Sequence, residues 1–346
     1  MTLHALLDAG ARFDAEYGGG LSDHRPMALA ALAALGASDT RLAAFAAACE
    51  MPLEPSRPPD PWPAGDAWTG RLGDASAWPA YRSLFADWLA HDGPDAVLEQ
   101  TLPVLMRGVA AAAFHGPIRT ACAVVATHPG ELVAGLSHWA SRHLPIDLAP
   151  PPVSARMPRG LRSRDAAGSD APLPLDTVLS RLDASLERPP RQGLILDHIA
   201  AVAAQPAFGR EVARLAVDAG TLDALTRSAA RLFAATGDFT VLHMVTGCHA
   251  VHLLRPFLDD SQVAVAHLQR AWVAAWAASG VGVPGAESAP AAAAPPWSDL
   301  LPAAIASDDP HTVKLVWSCR DLERRLGGED GLFRAAAARR LRANAP

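Results

Sequence analysis

Apolar residues recur at spacings of three and four in seven stretches of the chain: residues 26–49, 94–127, 175–186, 212–235, 241–257, 262–278 and 311–326. That period is the mark of helices with one face turned to a core. Tracts of β-branched residues alternating with polar ones are nearly absent, so a parallel sheet is not expected. The pattern predicts an all-α protein, an irregular multi-helix bundle around a central histidine-lined pocket. Helix starts are marked by Ser22-Asp23 before His24, by Asp92-Gly93-Pro94, and by Asp308-Asp309-Pro310 before His311, each a capping group ahead of a proline or an apolar run. Three Pro-rich intervals, 51–66, 144–174 and 281–296, read as connections, because proline inside a helix removes a backbone donor and clashes with the preceding turn. No unit of 20 to 50 residues repeats, which disfavours a regular solenoid.

Composition narrows this picture. Half of the 346 residues are hydrophobic, enough for a large core, and we expect one helical domain over 1–346 with 144–174 as a mobile connection inside it. The net charge is −6 and basic residues form no dense run outside 334–342, which argues against nucleic acid or an anionic membrane as partner. No segment offers about 18 uninterrupted apolar residues, and the first residues lack a basic region followed by an apolar one. A soluble, cytoplasmic protein is expected. Four cysteines, Cys49, Cys122, Cys248 and Cys319, stand far apart without a CxxC pair and read as small core residues of a reduced compartment. Trp62, Trp68, Trp78, Trp88 and Trp139 read chiefly as core and connection packing.

Two residue types carry the candidate chemistry. Lys314 is the sole lysine among 30 basic residues. An amine can lose its proton when buried and then act as nucleophile, base or, after adding carbon dioxide, carbamate ligand, whereas a guanidinium stays charged; a composition that disfavours lysine is the plain alternative. The chain also holds 13 histidines, several on predicted helices. His115 precedes Arg119 by one helical turn, a pair suited to an anionic substrate or dioxygen-derived charge, or else a core histidine beside an arginine tied to an acid. His243, His249 and His252 fall within ten residues of an apolar helix, where each must find a partner or a metal. At about 100° per residue, His249 and His252 lie about 60° apart, but His243 and His249 about 120°. Both reach one ion only if the helix distorts, with Gly247 the plausible place. No HExxH or di-iron ExxH pair is present, and no GxGxxG follows a strand.

Four segments taken together resemble one family. Leu21-Ser22-Asp23-His24-Arg25-Pro26-Met27-Ala28, Ala113-Phe114-His115-Gly116-Pro117-Ile118-Arg119, His243-Met244-Val245-Thr246-Gly247-Cys248-His249-Ala250 and Asp309-Pro310-His311-Thr312-Val313-Lys314-Leu315 occur in the order found in questin oxidase-like proteins, whose characterised members are fungal enzymes that oxidatively open anthraquinone rings. The resemblance implies a helical oxidoreductase that uses dioxygen on an aromatic polyketide-like substrate at a non-haem iron held by the motif histidines. It implies ligation by His24, His115, His243 and His249, with Lys314, as a carbamate, the fifth ligand. His311 and His252 stand in reserve or orient the ligands, and Arg119 and Lys314 are the candidate catalytic side chains. Imidazole suits iron, copper or zinc alike. Two alternatives stay open: an NADPH-dependent, Baeyer–Villiger-like oxygenase without bound metal, and a non-catalytic helical ligand-binding protein.

Overall fold

In the computed structural model, residues 1–49, 53–147, 172–188, 193–283, 294–328 and 330–343 are described. Among these residues sixteen helices run α1 (Leu3–Gly10), α2 (Arg25–Leu35), α3 (Asp39–Ala48), α4 (Trp78–Asp92), α5 (Pro94–Leu105), α6 (His115–Ala126), α7 (Pro129–Ser141), α8 (Leu175–Ser185), α9 (Ile195–Ala203), α10 (Pro206–Val212), α11 (Thr221–Thr236), α12 (Phe239–Leu254), α13 (Ser261–Ser279), α14 (Trp297–Ala306), α15 (Pro310–Leu326) and α16 (Leu332–Ala343). The protein is all-α, as the periodicity predicts. Between α1 and α2, strands β1 (Glu16–Tyr17) and β2 (Leu21–Ser22) pair antiparallel, a hairpin too short for any alternating pattern to reveal. No helix is long and apolar enough to cross a membrane among the described residues. The expected connection over 144–174 lies mostly outside the described residues, since its positions 148–171 are not among them.

Four helices form the centre in a closed ring: α2 packs on α6, α6 on α12, α12 on α15, and α15 on α2. Their sequences explain why. In α12, 13 of the 16 residues are buried, and nine of 11 in α2; helices apolar on every side belong inside a bundle. Asp309 caps α15 by accepting from the backbone N–H groups of His311 and Thr312, as its place before Pro310 predicts. Asp23 accepts from the Arg25 N–H at 2.8 Å and so holds the first turn of α2. Glycines set the close approach of α6 to α7. A Cβ on Gly116 would lie 2.9 Å from the Trp139 Cα, and one on Gly135 2.8 Å from the Thr120 N, so only a hydrogen lets these backbones meet.

The predicted helix over 94–127 is two helices. After Leu105 the chain tightens and then passes through three consecutive non-glycine residues in the left-handed region, Ala112 (φ 47°), Ala113 (φ 55°) and Phe114 (φ 70°). Each costs about 1–3 kcal/mol, and nothing in an apolar run of alanines signals it. The stretch 26–49 likewise splits, because Gly36 adopts φ 93° and Ser38 caps α3.

Candidate metal centre

The left-handed turn has a chemical consequence at its end. It places the Ala112 carbonyl 2.6 Å from Nδ1 of His115, the first residue of α6. The same arrangement recurs at two other histidines. Nδ1 of His24, the residue before α2, lies 2.5 Å from the Ser22 carbonyl, and Nδ1 of His243, in the second turn of α12, lies 2.8 Å from the Phe239 carbonyl. A carbonyl oxygen only accepts, so Nδ1 carries the proton in all three rings and Nε2 carries a lone pair. At His311, in the first turn of α15, Nδ1 faces Asp309 Oδ1 at 3.5 Å.

These four rings form a cycle in the order of their helices. Centroids lie 4.6 Å apart for His24 and His115, 4.8 Å for His115 and His243, 5.4 Å for His243 and His311, and 4.4 Å for His311 and His24. One nitrogen from each ring lies within 4.8 Å of all the others. Nε2 of His24 and Nε2 of His115 are 3.0 Å apart. Two lone pairs at that distance repel unless a cation sits against both. Two imidazole nitrogens bound side by side to one first-row ion at about 2.1 Å would also be about 3.0 Å apart. Nε2 of His243 and Nε2 of His311 are buried without a hydrogen-bond partner, which costs about 1–3 kcal/mol each unless something binds them. Protonation is a poor remedy. Burial, with the neighbouring cationic groups, pushes His24, His115 and His243 well below the usual histidine range and His311 to about 4. Four helix N-terminal ends also converge here, and their positive partial charge disfavours an imidazolium. The donor set fits a soft-to-borderline divalent ion.

Lys314 lies three residues after His311. Its side chain is 1% exposed, its Nζ has no hydrogen-bond partner, and burial pulls its pKa down to about 7. Its charge acts on all four rings, and it also lines a small void with Cys122, Thr246 and His249.

Two expected site residues lie elsewhere. Nε2 of His249 is 2.9 Å from Asp321 Oδ2 and its ring meets the edge of Trp317. It is absent from the four-membered group, where His311 stands in its place. The reason is the angle noted above: α12 is regular through Gly247, so His243 and His249 face different neighbours. Gly247 serves packing instead, since a Cβ there would lie 2.9 Å from the Phe114 ring. Arg119 makes a bidentate ion pair with Glu131, Nε to Oε2 at 2.9 Å and Nη2 to Oε1 at 3.2 Å, both partners about 5% exposed. The tied-arginine alternative therefore describes Arg119, and it does not line the cleft at the histidines. His252 lies 3.1 Å from Thr226 Oγ1, also outside the group.

The four rings open onto a cleft of about 410 Å³, within the range of roughly 300–1,000 Å³ typical of small-molecule sites. Its walls include Leu21, Ala112, Ala113, Leu194, Ile195, Leu196 and Phe239. Phe239 stands edge-on to both His243 and His311, with centroids at 4.8 and 4.7 Å. A larger hollow of about 600 Å³ lies beside Trp78, Arg82 and Asp87, but no histidine is among its described lining residues. Sequence spacing could not reveal the cleft's wall residues, which come from the hairpin, the left-handed turn, the start of α9 with Leu194 before it, and the first residue of α12.

No curated protein matches the chain. A protein-family model described as questin oxidase-like matches residues 21–319, a span that contains all four motif segments and every histidine of the ring. The chain therefore belongs to the questin oxidase-like family.

Proposed function

We propose that this protein is a non-haem iron oxygenase that uses dioxygen to oxidise or cleave a ring of an aromatic, anthraquinone-like substrate. Family membership supports an oxidoreductase of this substrate class. The observation that carries the metal is the meeting of one ring nitrogen from each of four histidines, with Nε2 of His24 and His115 3.0 Å apart and Nε2 of His243 and His311 buried without partners.

In this reading His24, His115, His243 and His311 hold the ion. Their Nδ1–H groups bond to Ser22, Ala112 and Phe239 carbonyls and face Asp309, which fixes each ring's orientation and makes Nε2 more basic. Lys314 supplies a further ligand as a carbamate, formed when its neutral amine adds carbon dioxide and loses a proton. That anion offsets cationic charge in a site where no Asp or Glu joins the four-membered group. When bound, iron supplies the one-electron chemistry that couples dioxygen to an electron-rich ring. The chain's own contribution is position and environment. Leu194, Ile195, Leu196 and Phe239 hold a flat apolar molecule and exclude water from the rings. The converging helix ends favour negative charge that develops on the substrate.

Elemental analysis of protein purified without a histidine tag tests this. About one iron per chain is expected in the native protein and in His249→Ala, with loss in His115→Ala, His243→Ala and Lys314→Arg. Full metal in the His115 and His243 variants would overturn the centre, and none in the native protein after anaerobic ferrous loading would overturn the iron assignment.

A further inference from the structure

Apart from the histidines, the charged lining of the cleft consists of two described side chains, Glu16 on β1 and Arg142 immediately after α7. Glu16 uses both oxygens: Oε1 lies 3.1 Å from Nε2 of the buried His138, and Oε2 accepts from Arg142 Nη2. Burial alone would raise the Glu16 pKa, but His138 and Arg142 together hold it below the usual carboxylate range. The carboxylate is thus ionised and fully engaged. Arg142 is not. It is 31% exposed and gives only Nη2 to Glu16; its Nε and Nη1 meet no acceptor among the described residues. The contrast with Arg119, which places two nitrogens on Glu131, separates a guanidinium used to tie elements together from one held by a single edge. A planar guanidinium fixed on one side, with donors left over in an apolar cleft, is built to take an oxyanion.

We propose that Arg142 is a specificity-determining residue that binds an ionised ring hydroxyl of the aromatic substrate, an inference that rests on the aromatic-substrate reading above. Glu16 orients the guanidinium and partly neutralises it, and His138 fixes Glu16. Together with the converging helix ends, Arg142 makes the cleft favour a phenolate over a neutral ether of the same size and shape. A substrate seated this way presents one ring to Arg142 and the rest of its fused system to the apolar wall.

The test uses the full-length protein as purified, held under anaerobic conditions so that turnover does not intervene. It is titrated with 2-hydroxyanthraquinone and with the O-methyl ether of that compound while the absorbance of the bound chromophore is followed. The native protein should bind the hydroxyquinone as its phenolate and prefer it over the ether. Arg142→Gln should cut affinity for the hydroxyquinone by a factor of about 10 to 100 and leave the ether unchanged, with partial recovery in Arg142→Lys. Glu16→Gln should hold or tighten phenolate binding, because it removes the opposing charge; a merely structural role predicts that both variants weaken both probes alike. Retained preference in Arg142→Gln, or parallel losses in the two variants, would overturn the assignment. Equal binding of both probes to the native protein would sink Arg142 alone, whereas binding of neither would sink the aromatic-substrate reading with it.

Discussion

Replacing Glu131 by glutamine should cost the protein about 3 kcal/mol of stability while leaving the proposed metal centre intact. The carboxylate and the Arg119 guanidinium are both about 5% exposed and 2.9 Å apart at their closest. At an effective dielectric of about 20 their attraction is roughly 5–6 kcal/mol. Breaking a buried pair by removing one partner costs about 3–5 kcal/mol, because the other charge is left uncompensated. Burial works against the Arg119 charge and Glu131 is the main group that restores it, but Asp23 and Asp14 also act in its favour. Those two remain in the variant, which places the cost at the low end. Glutamine offers one accepting oxygen where Glu131 uses two, so either Nε or Nη2 of Arg119 is left facing an amide NH2, with Nη1 already lacking a partner. In urea, with a slope of roughly 3 kcal/mol per molar or more, the midpoint should fall by up to about 1 M. The double variant Arg119→Met with Glu131→Leu removes both charges and should be closer to the native protein than Glu131→Gln is. A Glu131→Gln cost below about 1 kcal/mol, or a double variant as unstable as the two single changes added together, would refute the argument. Loss of metal from folded Glu131→Gln would return Arg119 to the site.

Gly116→Ala should destabilise the fold by about 1–3 kcal/mol and weaken metal binding as well. The new Cβ meets the Trp139 backbone and ring base at 2.9 Å, and His115 is the adjacent residue; urea unfolding and a metal titration check the two effects. Acidification should destabilise the protein. The unfolded chain takes up a proton at His252 near pH 6.5, while burial, aided by His249 and nearby arginines, holds the folded-state value at about 4, so this stability is complete above about pH 6.5 and is lost as pH falls towards 4. The gap between 6.5 and about 4 is worth about 3 kcal/mol at most, and His252→Gln should flatten the fall in melting temperature between about pH 7 and 5. Phe239 is 47% exposed, so Phe239→Ala should change stability by less than about 1 kcal/mol yet weaken binding of a flat aromatic, read by the same titration that tests Arg142.

Helical class was legible in the chain because a period of 3.6 is a local property: residues three and four apart share a face wherever the helix ends up. The cap at Asp309 and the opening of α2 at Asp23 were legible for the same reason, since a capping side chain reaches only two or three residues. All four clustered histidines, His24, His115, His243 and His311, stand in the segments that carry the resemblance, but only the first three were expected as ligands, with His311 in reserve. The fourth could not be chosen from spacing. Within α12 the sequence gives the angle between His243 and His249, but not which neighbour each meets; the packing of α15 brings His311 to the ring and Asp321 to His249. The fate of Arg119 was equally non-local, because Glu131 lies on a different helix brought close by Gly116 and Gly135. Nor does a row of alanines announce a left-handed turn. Ala112, Ala113 and Phe114 hold that conformation only because the surrounding helices over-determine it, and it is this turn that points the His115 lone pair at His24. Local chemistry along the chain set the elements and the candidate ligands, while the convergence of four separate helix ends, which needs contacts between residues up to about 290 positions apart, belonged to the tertiary structure alone.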